Sequence, residues 1–232
     1  MLEFDRARKY YDGAGGEVRA VDDVSLTIKS RELVALFGPS GSGKTTLLQL
    51  AAGLLRCTGG VVRFEDRDLA ALSKAEVLEH RRTKLGLVSQ NFDLIPGMSA
   101  EENVALPLLL RHVHHVEAQE RALAALDEVG LSARSRHLPS QLSGGEQQRT
   151  AIARAVVGNP KLVLADEPTG NLDSETGDHV LDLLSSLPRE RDAGIVIVTH
   201  DNRVADYTDR VLAMRDGKLA DYDPQTARAV SR

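Results

Sequence analysis

Cysteine is almost absent from this chain, and tryptophan is missing altogether. The lone thiol, Cys57, excludes an intrachain disulfide and argues against a cysteine-based metal site. It fits a reducing compartment. Aromatics are scarce, at four Tyr and four Phe, so a site that stacks a ring on a base has few candidates. There is no excess of positive charge. Lys+Arg number 29 against 34 Asp+Glu, a net charge of −5, which argues against a sequence-independent nucleic-acid partner. Long apolar runs are missing too. The longest, such as Leu47–Leu55, is broken by a polar residue or a glycine and falls short of the ~18 residues of a membrane span. The opening MLEFDRARKYYD is charged throughout and has no apolar core of the signal-peptide kind. The chain is therefore not expected to cross a membrane by itself. Low-complexity linkers and internal repeats are also absent.

What is present suits a globular protein: 232 residues, 42% hydrophobic and 27% charged. That length holds one large domain, or one with an inserted lobe. Leu33–Phe37, Leu85–Ser89, Leu162–Ala165 and Ile195–Thr199 are apolar runs of the buried parallel-strand kind. Helix-period stretches lie between them: Thr45–Leu54, Ala118–Val129, Glu146–Val157 and Thr176–Leu187. The alternation predicts a doubly wound α/β core. Leu2–Arg8, Val24–Ile28 and Val61–Phe64 predict an antiparallel β patch at the N-terminus. Arg210–Ala220 reads as a hairpin turning at Asp216-Gly217. Residues from about 91 to 142 show no strand pattern and read as an inserted helical lobe. The expectation is thus a single domain over 1–232, with 1–90 and 143–232 forming the core and patch. Asp223–Arg232 carries no core pattern and is expected to fray.

Gly38-Pro39-Ser40-Gly41-Ser42-Gly43-Lys44-Thr45 fits G-x-x-x-x-G-K-[ST] in full, after an apolar strand and before a helical pattern. Glycines let backbone N–H groups close around phosphate oxygens, and the helix N-terminus adds its dipole. Lys44 supplies positive charge at the β/γ-phosphates, and the Thr45 hydroxyl is a Mg²⁺ ligand. A P-loop nucleotide site is therefore expected.

Lys161-Leu-Val-Leu-Ala-Asp166-Glu167 is an apolar strand ending in two carboxylates. Alternate residues point to opposite sides, so the two are assigned different work: Asp166 in the metal shell, Glu167 as general base for a water. On its own such a pair is an ordinary solvated turn; the phosphate loop in the same sheet decides for function. Leu142-Ser143-Gly144-Gly145-Glu146 opens a helix with capping-box spacing, and its bare glycines leave N–H groups open to an anion. Alone it reads as a well-capped helix.

Together these segments resemble the ATP-binding subunit of ABC transporters. The pieces stand in the family's order: GPSGSGKT at 38–45, Gln90 after a strand, LSGGE at 142–146, LVLADE at 162–167, Asn171-Leu172-Asp173, and His200 after a strand. The resemblance implies ATP and Mg²⁺ as ligands and ATP hydrolysis as the activity. It implies that Gln90 touches Mg²⁺ or the attacking water, and that His200 contacts the γ-phosphate. Thr46 would lie near the α-phosphate, and Asp173 would cross to a partner subunit. Ser143, Gly144 and Gly145 would face a γ-phosphate held by the other subunit of an ATP-dependent head-to-tail homodimer. Tyr11 would stack on adenine beside Val18, with Tyr10 as the alternative.

ADEPTGNLDS at 165–174 and NFDLIPGMSAEENVALPL at 91–108 resemble the lipoprotein-releasing and macrolide-exporter group. That implies a separate transmembrane permease, a cytoplasmic position on the inner face of the cell membrane, and export or extracytoplasmic mechanical work. The cell-division ATPase that controls wall hydrolases resembles the same segments and is the alternative. Two further classes are weighed. Soluble ATPases of this type on ribosomes or DNA usually carry two cassettes or long insertions; a small-molecule kinase would lack LSGGE and His200. The histidines at 112, 114 and 115 and the run Arg81-Arg82-Thr83-Lys84 are read as solvated surface.

Overall fold

The computed structural model describes residues 1–13 and 16–221. The expected fray at Asp223–Arg232 lies outside them. The chain runs β1 (Leu2–Gly13), β2 (Gly16–Ile28), β3 (Leu33–Phe37), α1 (Lys44–Ala51), β4 (Gly59–Phe64), β5 (Arg67–Asp68) and α2 (Lys74–Lys84). Next come β6 (Leu85–Val88), α3 (Ala100–Leu110), α4 (His115–Glu128), α5 (Gly144–Val156), β7 (Leu162–Asp166) and α6 (Ser174–Arg191). It closes with β8 (Gly194–Thr199), β9 (Arg210–Arg215) and β10 (Lys218–Asp221).

The strands form two sheets. One has the order β10-β9-β3-β8-β7-β6, parallel except for β10, which pairs antiparallel with β9. β3 and β8 are buried along their whole length, as apolar runs covered on both faces must be. The other sheet is antiparallel, with the order β2-β1-β4-β5. Its hairpin is longer than its sequence pattern suggests. β1 and β2 continue past the apolar segments to pair Gly13 with Gly16, through three register irregularities between Phe4 and Tyr10. α2 is a further difference. Arg81–Lys84 forms its last turn, and a Ser73/Glu76 capping box begins it.

Three clusters hold the layers together. Leu2, Phe4, Ile28, Leu36, Leu50 and Leu164 fill the space between the two sheets. Ile152, Val163, Val180, Leu184 and Ile197 pack α5 and α6 on the other side of the parallel sheet. Val104, Leu108, Ala122, Leu126 and Leu131 join α3 to α4, and Ala153 and Val157 bring α5 into the same cluster. α5 thus bridges the core and the helices of the lobe. Among the described residues no helix is long and apolar enough to cross a membrane.

The last hairpin is fastened to the phosphate loop. Gly217 donates its N–H to the Ser42 carbonyl at 3.0 Å and accepts the Asp22 N–H at 2.8 Å. A Cβ at Gly38 would overlap the Met214 carbonyl, and one at Gly43 would overlap the Ala20 carbonyl. Only glycine fits between these backbones.

A nucleotide cleft at the ends of the parallel strands

Ser40, Gly41, Gly43, Lys44, Thr45, Thr46, Gln90, Asp166 and Glu167 line one cleft of about 350 Å³, with Ala20 at its margin. The parallel sheet explains the gathering. β3 delivers the phosphate loop, β6 delivers Gln90, β7 the two carboxylates and β8 His200, all at their carboxyl ends. Gly43 turns the chain at φ 106°, and α1 begins at Lys44 with its N-terminal N–H groups toward the cleft.

Lys44 is buried, and its Nζ donates to the carbonyls of Gly38 (2.6 Å) and Pro39 (3.1 Å). Burial pushes its pKa down, while the charges of Glu167 and Asp166 hold it up. Thr45 Oγ1 donates to Asp166 Oδ2 at 3.0 Å. Burial raises the Asp166 pKa, and the Thr45 hydrogen bond opposes it. These hard oxygen donors fit Mg²⁺, which takes few protein ligands and completes its shell with phosphate and water. Among the described residues no group of three His, Cys, Asp or Glu gathers into an all-protein cage.

Glu167 stands in the left-handed region, at φ 48°, which only a held residue of its kind adopts. Its N–H pairs with the Val198 carbonyl at 2.8 Å. Its carboxylate accepts from Thr199 Oγ1 at 2.9 Å and from the His200 N–H at 3.3 Å, and His200 Nδ1 lies 3.0 Å from Oε1. Thr199 was not singled out from the sequence; its signal there is a hydroxyl directly before His200 at the end of a buried strand. Behind it, Asp201 accepts from Thr169 Oγ1 at 3.0 Å and pairs with Arg203. Asp201 also caps the short 3₁₀ turn Asn202–Tyr207, as its position suggests.

The predicted residues outside this cleft divide into two groups. Tyr11 and Val18 are register partners on β1 and β2, both exposed, and Val18 shares a face with Ala20 two residues on. Tyr10 is engaged elsewhere: its hydroxyl donates to Asp22 at 2.5 Å, and the Arg19 guanidinium covers its ring at 5.3 Å. Tyr11 carries a cation too, with the Lys9 ammonium 5.1 Å from its ring centre.

Ser143 caps α5 in a capping box with Glu146. The Ser143 N–H and Arg134 both bond the Glu146 carboxylate, and these bonds lower its pKa. Leu142 turns into the lobe cluster. These side chains hold the segment; Ser143 and Gly144 are exposed, and Gly145 is buried against Thr176. None of Leu142–Glu146 lines the cleft around Lys44. Asp173 is exposed and caps α6 by accepting the Thr176 N–H at 3.0 Å, which lowers its pKa.

Known proteins share this arrangement. A family model described as ABC transporter matches residues 21–170. The lipoprotein-releasing system ATP-binding protein LolD of Hyphomonas neptunium is 43% identical over 222 residues, 96% of each chain. The dimeric structure of the bacterial ABC transporter cassette MJ0796 superposes with a TM-score of 0.88 at 40% identity, covering 94% of this chain and 96% of that one. A second dimeric structure of MJ0796, in a post-hydrolysis state bound to ADP and Pi, matches with the same values. By its fold, its motifs and these relatives, the chain belongs to the ABC transporter family and is an ATP-binding, ATP-hydrolysing subunit that powers a separate permease.

Proposed function

We propose that two copies of this chain close head to tail on two Mg²⁺-ATP molecules, and that Glu167 is the general base of hydrolysis. The observation that carries this reading is the grip of Thr199 and His200 on the Glu167 carboxylate at the rim of the phosphate cleft. The water oxygen bonds to the γ-phosphorus, its proton goes to Glu167, and the bridging P–O bond breaks with its electron pair leaving on ADP. Lys44 exchanges the Gly38 and Pro39 carbonyls for phosphate oxygens. His200 keeps Nδ1 toward Glu167 and presents the rest of its exposed ring to the γ-phosphate. Thr45 and Asp166, with Gln90, hold Mg²⁺, which when bound neutralises charge developing on the phosphates. Thr46 reaches the α-phosphate, and adenine stacks on Tyr11 beside Val18.

Ser143, Gly144 and Gly145 complete the partner copy's site, and Asp173 meets the partner across the same face. The helical lobe, including Phe92–Pro107, docks a transmembrane permease, which keeps the chain on the inner face of the membrane. The exposed Ile95, Leu109 and Leu110 supply apolar surface there. The 43% identity to the Hyphomonas protein favours lipoprotein release, or related work outside the membrane, as the task.

Glu167→Gln tests this reading. The amide keeps the shape and loses the base, so turnover falls on the order of 10²–10⁴-fold. The uncleaved nucleotide then holds the two copies together, giving a dimer in Mg²⁺-ATP by light scattering. Wild-type turnover, or a monomer at saturating ATP, overturns the proposal.

A further inference from the structure

Gln90 sits in a cup made by the turn that follows β7. A Cβ at Gly170 would lie 3.4 Å from Gln90 Nε2 and 3.5 Å from the Glu167 Cβ, so the Gln90 amide rests against this turn beside the catalytic carboxylate. Asn171, the next residue, donates its Nδ2 to the Gln90 backbone carbonyl at 2.9 Å. On its other side, the Asn171 carbonyl lies 3.8 Å from where a Cβ on Gly144 would stand. Asn171 thus ties the turn after β7 to the Gln90 segment.

The residues after Gln90 are held from the other end of α5. Arg154 Nη2 donates to the Phe92 carbonyl at 2.7 Å and Nη1 to the Asp93 carbonyl at 2.5 Å. Phe92 and Asp93 both have left-handed φ, 62° and 48°. A bulky residue keeps that conformation only where its surroundings enforce it. Two side chains therefore grip the carbonyls of residues 90, 92 and 93. One comes from the turn beside Glu167 and the other from α5.

We infer that Asn171 is a positioning residue for hydrolysis: it fixes the Gln90 backbone, and through it the Gln90 amide, relative to Glu167. This rests on the reading of Gln90 given above. Asn171 is exposed and caps nothing, so removing its amide leaves the core intact.

The test is a mutant cycle on the full chain, with kcat and KM for ATP measured by steady-state hydrolysis. Asn171→Ala is expected to lower kcat about 3- to 10-fold, the worth of one hydrogen bond, with KM unchanged. Asn171→Asp keeps the shape, has no amide donor and sets a carboxylate against the Gln90 carbonyl, so it should lose at least as much as the alanine variant. In a Gln90→Ala background the Asn171 substitution should add nothing, because a residue acting through Gln90 has nothing left to position. In a Glu167→Gln background it should leave the Mg²⁺-ATP dimer intact. Wild-type kcat in Asn171→Ala beside an impaired Gln90→Ala overturns this proposal alone. So does a full multiplicative loss in the double variant, or loss of the dimer. Wild-type turnover in Gln90→Ala overturns the reading of Gln90, and this proposal with it.

Discussion

The Thr199 hydroxyl donates to Glu167 Oε2 at 2.9 Å, and Thr199 Oγ1 in turn accepts the Asp201 N–H, also at 2.9 Å. Thr199 is fully buried, so no water takes its place when it is changed. Thr199→Val removes the donor while nearly keeping the shape. Hydrogen bonds to charged groups are the stronger ones, so kcat is expected to fall about 10- to 100-fold. KM for ATP should move little, because Thr199 touches no phosphate. Unchanged kcat would mean that Glu167 needs no such support.

Tyr11 and Tyr10 are adjacent and differ in what they already hold. Tyr11→Ala is expected to weaken ATP binding about 5- to 150-fold, the range of one lost base–aromatic stack. Tyr10→Ala breaks the Asp22 and Arg19 contacts and should show in thermal stability more than in affinity. Titration of a fluorescent ATP analogue against both variants decides, and a larger affinity loss from Tyr10→Ala reverses the assignment.

Gly145→Ala places a methyl onto Thr176 Cγ2, where α5 meets α6. The N-terminus of α5 must then move away from Asp173–Thr176. The variant is expected to bind ATP as a monomer and to lose nucleotide-dependent dimerisation and turnover. Thr176→Ser removes the obstructing methyl and should restore part of both. Sizing of single and double variants in Mg²⁺-ATP checks it; a Gly145→Ala protein that still dimerises contradicts it.

Ser99 and Glu102 form a capping box at the start of α3. Ser99→Ala is expected to cost about 1 kcal/mol, a drop of about 2–4 °C in Tm. The Ser99 N–H bond lowers the Glu102 pKa below its ordinary value of 4.5. A depressed acid stabilises the folded chain fully above that ordinary value and loses its effect as pH falls through the lower folded value. The Tm deficit of Glu102→Ala should therefore be largest near neutral pH and shrink below about pH 4.5. A deficit that is constant with pH would show that the carboxylate charge is not what caps the helix.

The phosphate loop, the Asp166–Glu167 pair and the capped Leu142–Glu146 segment were legible because each is contiguous and its chemistry depends on local spacing. The parallel core was legible because strands buried on both faces read as apolar runs. α2 escaped notice because none of its residues is buried; with no apolar stripe, only the Ser73-x-x-Glu76 cap marks it. The ends of β1 and β2 escaped because their residues from Lys9 onward are largely exposed and irregular in register, which erases alternation. Thr199 on Glu167, Arg154 on Phe92 and Asn171 on Gln90 join residues 32, 62 and 81 positions apart. No local pattern encodes such pairs.

The buckle of Gly217 onto Ser42 and Asp22 sets a timetable for synthesis. A growing chain that ends at His200 already carries the phosphate loop, Asp166, Glu167 and His200 itself. It still lacks β9 and the hairpin turn that seat the loop from behind. Nearly the whole chain must leave the ribosome before the loop has its backing.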